Sequence, residues 1–137
     1  MDIKKKLQEL ETNRGFFNHN NYHVEKIEKD KVILRADITE DSMNPYGGVH
    51  GGLIFGLCDT VMGMAAAAKG KIAVTVDSNI SYHEAANGRY ILAEGKVVRD
   101  GKNICFLESK VYNDKKLLVA TATATYYYID EEKEGLK

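Results

Sequence analysis

The chain has 137 residues, 44% of them hydrophobic, and a formal net charge of -1. That length suits one domain with its own core, and the hydrophobic content excludes a disordered chain. A charge so near neutrality supplies no bulk field for nucleic acid or an anionic membrane, so neither is expected as a partner.

Charge is concentrated in the first eleven and last eight residues, while 51–68 carries a single charge. In chain order, Ile3, Leu7 and Leu10 at i, i+4 and i+7 predict a short amphipathic helix over 2–12 within an N-terminal segment 1–15. Gly15 ends it, and Phe16-Phe17 forms an apolar anchor. Residues 22–28 and 32–38 read as a strand pair around a turn at Lys29-Asp30-Lys31. In the second of them Val32, Leu34, Ala36 and Ile38 alternate with Ile33, Arg35 and Asp37. A turn-rich loop over 41–48 holds the only proline.

His50-Gly51-Gly52 then opens a helix that runs to about Ala67, with Gly70 as its stop. It is apolar on nearly every face, as a helix buried on most sides must be. Strands follow over 72–82, 90–99, 103–112 and 117–129. They are separated by Asn87-Gly88, Asp100-Gly101 and Asn113-Asp114, all turn dipeptides or close to it, and Asp-Gly is a strong hairpin signal. In the last strand Leu118, Ala120, Ala122 and Ala124 make a small-residue face suited to close approach by a helix. One long helix and five or six mostly antiparallel strands make an α+β domain. Its core spans about 20–129, with a charged tail over 130–137.

Met1-Asp2-Ile3-Lys4 opens a charged segment rather than a secretory leader. The apolar run 53–68 contains Asp59 and Thr60 and falls short of the ~20 residues a membrane span requires. Cys58 and Cys105 lack Cys-x-x-Cys spacing and read as small core residues in a reducing cytoplasm.

Asp59 needs an explanation, because an unpaired carboxylate among apolar helix faces would cost several kcal/mol. Either it is hydrogen-bonded to a neighbouring segment, or it serves as a general base or nucleophile. His50-Gly51-Gly52 marks a helix N-terminus with free N–H groups, either a plain capping turn or a place where a thioester carbonyl is polarised. From Gly51 to Asp59 an α-helix rises about 12 Å and rotates by roughly 80°. One copy of the helix therefore cannot bring both groups to one substrate atom. If both act in one reaction, two chains share the site, with their central helices antiparallel.

Asn44 in the loop and Thr75 in the following strand are softer candidates, for orienting a water and for holding Asp59. Arg99, Gly101 and Lys102 form a basic hairpin turn, either solvated or in contact with a phosphate. Tyr126-Tyr127-Tyr128 reads as sheet and interface packing. His19, His23 and His83 show no metal-ligand spacing, and no metal or redox cofactor is expected.

The segment Asn44-Pro45-Tyr46-Gly47-Gly48-Val49-His50-Gly51-Gly52, with Leu57-Cys58-Asp59 beyond it, resembles the signature of the PaaI-type hotdog thioesterases. The likeness continues through 74–82, 92–102 and 118–120. It implies a helix wrapped by an antiparallel sheet, in homodimers with composite sites that pair into homotetramers. It also implies an acyl-CoA substrate, with CoA present only as part of that substrate. By resemblance Asp59 is the base or nucleophile, Gly51 the polarising amide and Asn44 the water-positioning group. His50 supports the helix start, Thr75 stands beside the carboxylate, and the turn of Arg99, Gly101 and Lys102 lies near the CoA phosphates. The chain departs from the family pattern at Glu84-Ala85-Ala86-Asn87-Gly88-Arg89, where a proline-containing run ending Gly-Asp is usual. Two other readings stand beside hydrolysis: a non-catalytic acyl-CoA-binding module, and a hydratase or dehydratase acting on an enoyl-CoA.

Overall fold

The structure is a computed structural model that describes residues 3–12 and 14–129. The charged tail expected over 130–137 lies outside the described residues. Helix α1 covers Ile3–Gln8 and gives way to a 3-10 turn at Leu10–Thr12, so the predicted helix ends a turn early. There the Thr12 hydroxyl donates to the Glu9 carbonyl. A single helical turn that periodicity did not indicate, α2, spans Phe16–His19. Phe17 is its buried anchor, edge-on to Tyr22 at 5.7 Å, while Phe16 stays 60% exposed.

Strands β1 (Tyr22–Glu28) and β2 (Lys31–Asp37) form the first hairpin, with Asp30 in the left-handed region. Helix α3 spans Gly51–Ala67, and β3 (Ile72–Tyr82), β4 (Tyr90–Asp100), β5 (Ile104–Asn113) and β6 (Leu118–Ile129) follow. The six strands make one antiparallel sheet in the order β1-β2-β4-β5-β6-β3. One long helix against an antiparallel sheet is the hotdog architecture. No described helix is long and apolar enough to cross a membrane.

The turn at Asn87-Gly88 does not close a hairpin between the strands on either side of it. β3 pairs with β6 at the sheet edge, and β4 lies between β2 and β5. Gly88 bends the chain at φ 108°, but residues 83–89 carry it from the edge back to the middle of the sheet. Packing decides this placement. A Cβ on Gly95 of β4 would stand 2.7 Å from the Val61 carbonyl oxygen, so glycine there lets the strand lie directly against the helix backbone. β6 follows the same logic, with Ala120, Ala122 and Ala124 buried against α3. Leu57, Val61 and Met62 are fully buried on the helix. Cys58 and Cys105 are buried free thiols in the same core.

Candidate active site

The site forms where α3 passes β3. Helix positions Gly52, Gly56 and Asp59 recur at i, i+4 and i+7 and share one face. Together with Phe55, Thr75 and Ser78 they line an open cleft of about 320 Å³. Thr75 and Ser78 both face it because β3 bulges between Thr75 and Asp77. The extra residue, Val76, resets the two-residue alternation, so positions three apart share a face.

Asp59 is half-buried at this cleft and it is not unpaired. The Thr75 hydroxyl donates to Oδ1 at 2.8 Å, and the Tyr126 hydroxyl donates to the same oxygen at 2.5 Å. Among the described residues no donor reaches Oδ2. Burial, and then the bond to Asp59, hold the Tyr126 phenol far above its usual range, so it stays a donor. Burial likewise pushes the neighbouring Cys58 thiol up to about 11, which keeps it protonated and un-nucleophilic.

The other predicted residues collect at the N-terminus of α3. His50 is the N-cap, and its Nδ1 accepts from the Gly52 N–H at 2.8 Å. The Tyr82 hydroxyl donates to the Gly51 carbonyl at 2.7 Å, and the Gly51 N–H has no acceptor among the described residues. That leaves one main-chain donor, at the positive end of the helix, open to a ligand. Asn44 Oδ1 accepts from the N–H groups of Tyr46 and Gly48 at 2.9 and 3.0 Å, which folds the loop and leaves its Nδ2 as a donor. Asn44, Gly51, Tyr82, His83 and Glu84 line a second cleft of about 340 Å³.

The predicted set therefore divides into two groups within one chain. Asp59 meets Thr75 in one cleft, and Asn44 meets Gly51 in the other. Arg99, Gly101 and Lys102 lie apart from both, exposed at the β4–β5 turn, where the Gly101 N–H closes on the Ile104 carbonyl. Arg89, in the departing segment, reaches away toward Asp114 at 3.7 Å. Tyr126 was read from sequence as packing, and its bond to Asp59 was missed. The signal was present in the alternation of β6, which puts Tyr126 in phase with Ala120, Ala122 and Ala124, on the face turned to the helix.

Residues 46–120 match the family model described as the thioesterase superfamily. Human acyl-coenzyme A thioesterase 13 is 34% identical over 86 residues, 61% of this chain and 61% of that protein. The chain thus spans about three-fifths of the length of the first curated relatives it matches. A Streptococcus mutans protein solved bound to acetyl CoA superposes with a TM-score of 0.78 at 34% identity, covering 85% of this chain and 93% of that one. A thioesterase protein of Streptococcus pneumoniae solved with coenzyme A gives 0.76 at 30%, covering 80% and 86%. The E. coli PaaI protein shares the fold, with a TM-score of 0.87 at 18% identity and 94% of each chain covered.

Proposed function

The chain belongs to the thioesterase superfamily, and from that premise we propose that it hydrolyses an acyl-CoA thioester to a free acid and CoA. The observation that carries this reading is the state of Asp59: one oxygen held by two hydroxyls, the other without a protein donor at an open cleft. That free oxygen takes a proton from water, or itself attacks the thioester carbonyl. The negative charge that develops on the carbonyl oxygen is met by the Gly51 N–H, while Asn44 Nδ2 holds the water. Collapse of the intermediate breaks the carbon–sulfur bond. On the water route the CoA thiolate takes back the proton that Asp59 accepted; on the direct route water then cleaves the acyl-Asp59 anhydride, releasing the acid and supplying the proton to the thiolate. No cofactor is needed beyond the CoA of the substrate. Relatives of 30% and 34% identity solved with coenzyme A and with acetyl CoA support the substrate class.

In this reading the working unit is a homodimer with two composite sites. Three observations support it. Gly51 and Asp59 line separate clefts, about 12 Å apart along the helix axis. β3 is an eleven-residue edge strand whose outer side has no partner strand among the described residues. Exposed Val74 and Val76 lie on it, beside Thr75. A second copy set with its helix antiparallel brings its Gly51 to the first copy's Asp59. Pairing of such dimers gives a homotetramer. Arg99 and Lys102 are exposed and make no ion pair among the described residues, which suits contact with the CoA phosphates near Gly101. The hydratase reading needs Asp and His in one cleft, whereas His50 is engaged as the cap of α3.

The test is thiol release from short-chain, long-chain and aromatic acyl-CoAs by the wild type and by Asp59→Ala. Wild-type turnover that falls about a thousandfold in the variant is expected. Binding without thiol release by the wild type would move the reading to an acyl-CoA-binding module.

A further inference from the structure

Tyr126 carries an inference that rests on the hydrolytic reading and deepens it. Its ring is 2% exposed on the inner face of β6 and meets α3 at Gly63, where a Cβ would stand 3.2 Å from the ring. The absent side chain at Gly63 makes a notch, and through it the phenol reaches back one helical turn. There the hydroxyl oxygen lies 2.5 Å from Asp59 Oδ1 and 2.5 Å from the Asp59 main-chain oxygen. A phenol has one proton, so the two acceptors share it. Both belong to one residue, and a donor held between them restricts the turn of the Asp59 side chain about its own backbone. Thr75, the cross-strand partner of Tyr126 on β3, places a second donor on the same Oδ1.

We propose that Tyr126 is a positioning residue of the hydrolysis: by holding Oδ1 it fixes the Asp59 carboxylate and leaves Oδ2 as the reacting oxygen. The division of labour follows from hydrogen-bond chemistry. An oxygen that already accepts two bonds is a weaker base than its unbonded partner, and bonds to a carboxylate favour its charged form. Two titratable neighbours of Asp59 are Tyr126 from β6, which bonds to Oδ1, and Cys58, the preceding residue of its own helix. β3 contributes the hydroxyls of Thr75 and Ser78 to the same cleft. Burial keeps both Tyr126 and Cys58 protonated across neutral pH, so they act on the carboxylate as dipoles rather than charges.

The experiment compares wild type, Tyr126→Phe, Gly63→Ala and Asp59→Asn in thiol release from an acyl-CoA the wild type hydrolyses, with kcat, KM and pH–rate profiles. Tyr126→Phe keeps the buried ring and removes only the hydroxyl. It is expected to lower kcat about tenfold with KM unchanged. It also moves the acid limb of the profile upward, because a carboxylate that loses a donor holds its proton more readily. Gly63→Ala fills the notch, displaces the phenol and moves both readouts the same way by less. It stands in should Tyr126→Phe fail to fold. An acid limb that stays at its wild-type position in a folded variant overturns the inference, whether kcat falls or not. Full activity in Asp59→Asn would instead overturn the hydrolytic reading, with Tyr126 untouched as a cause.

Discussion

β3 and β4 are strands of equal length, eleven residues each, but they meet the central helix in opposite ways. β4 alternates buried and partly exposed positions through Val97 and lies so close to α3 that Gly95 has no room for a Cβ beside Val61. β3 is mostly exposed, bulges at Val76, and presents hydroxyls rather than aliphatic side chains to the helix at Thr75 and Ser78. The closed side is governed by volume, and the open side by donors arranged around one carboxylate. A core stabilises most when it leaves no space, whereas a site needs space and a polar group that the fold has already aimed. The same helix supplies both: Val61 and Asp59 are two residues apart, about 200° round the helix axis.

The comparison breaks most severely on the closed side. Gly95→Val puts a branched side chain against main-chain atoms that cannot move aside. The account expects a loss of about 3 kcal/mol, read as a lowered urea midpoint at unchanged m-value. The open side responds in assembly rather than in folding. Val76→Lys, at a bulge that is 63% exposed, puts a charge on the unpaired edge. It should weaken self-association about tenfold by sedimentation, and activity should fall with it while the monomer's thermal stability holds.

The smallest effect lies at the far end of α3, where a clasp ties the residue after the helix to β4 and the β1–β2 turn, with β6 joined to β4. Lys69 Nζ lies 2.5 Å from Asp100 Oδ2 at the end of β4 and 3.1 Å from Asp30 Oδ1, and the Tyr128 hydroxyl donates to Asp100 Oδ1 at 2.8 Å. Lys69, and then Tyr128, hold the Asp100 carboxyl below its ordinary range. A depressed folded value means that this contribution is present above the ordinary carboxylate range and is lost as pH falls through the folded value. Lys69→Met should therefore lower the Tm by about 3 °C at neutral pH, and the gap to wild type should close in acid.

Much of the fold was legible because burial imposes periodicity. Alternation places β2 and β6 to within a residue at each end, turn residues bound β1 and β3, and a His-Gly-Gly cap gives the start of α3. The path after β3 was not legible, since Asn87-Gly88 specifies a bend but not which strand comes next to it. Long-range pairing is decided by which strand can lie against the helix, and only Gly95 hinted at that. At the site, Asp59 stood out because its cost in an apolar helix demanded partners, and Thr75 was placed beside it. Tyr126 escaped because a tyrosine in a strand is explained well enough by propensity and packing. Its hydroxyl gains a role only through the Gly63 notch, a coincidence between elements 63 residues apart in sequence.

The central claim is that Gly51 of one copy and Asp59 of another serve one reaction, and mixed dimers test it directly. Gly51→Pro deletes the proposed donor with little cost to the helix, because proline fits the first helical position. His50, at φ -60° and ψ 131°, already has the backbone that a residue before proline requires. Gly51→Pro and Asp59→Ala chains, each inactive alone, would be unfolded together, refolded at equal concentration and assayed for thiol release. Shared sites predict recovery of about one quarter of wild-type activity, since half the dimers would be mixed and each of those would hold one intact site. A mixture no more active than its parents would place both groups of each site in one chain and contradict the account.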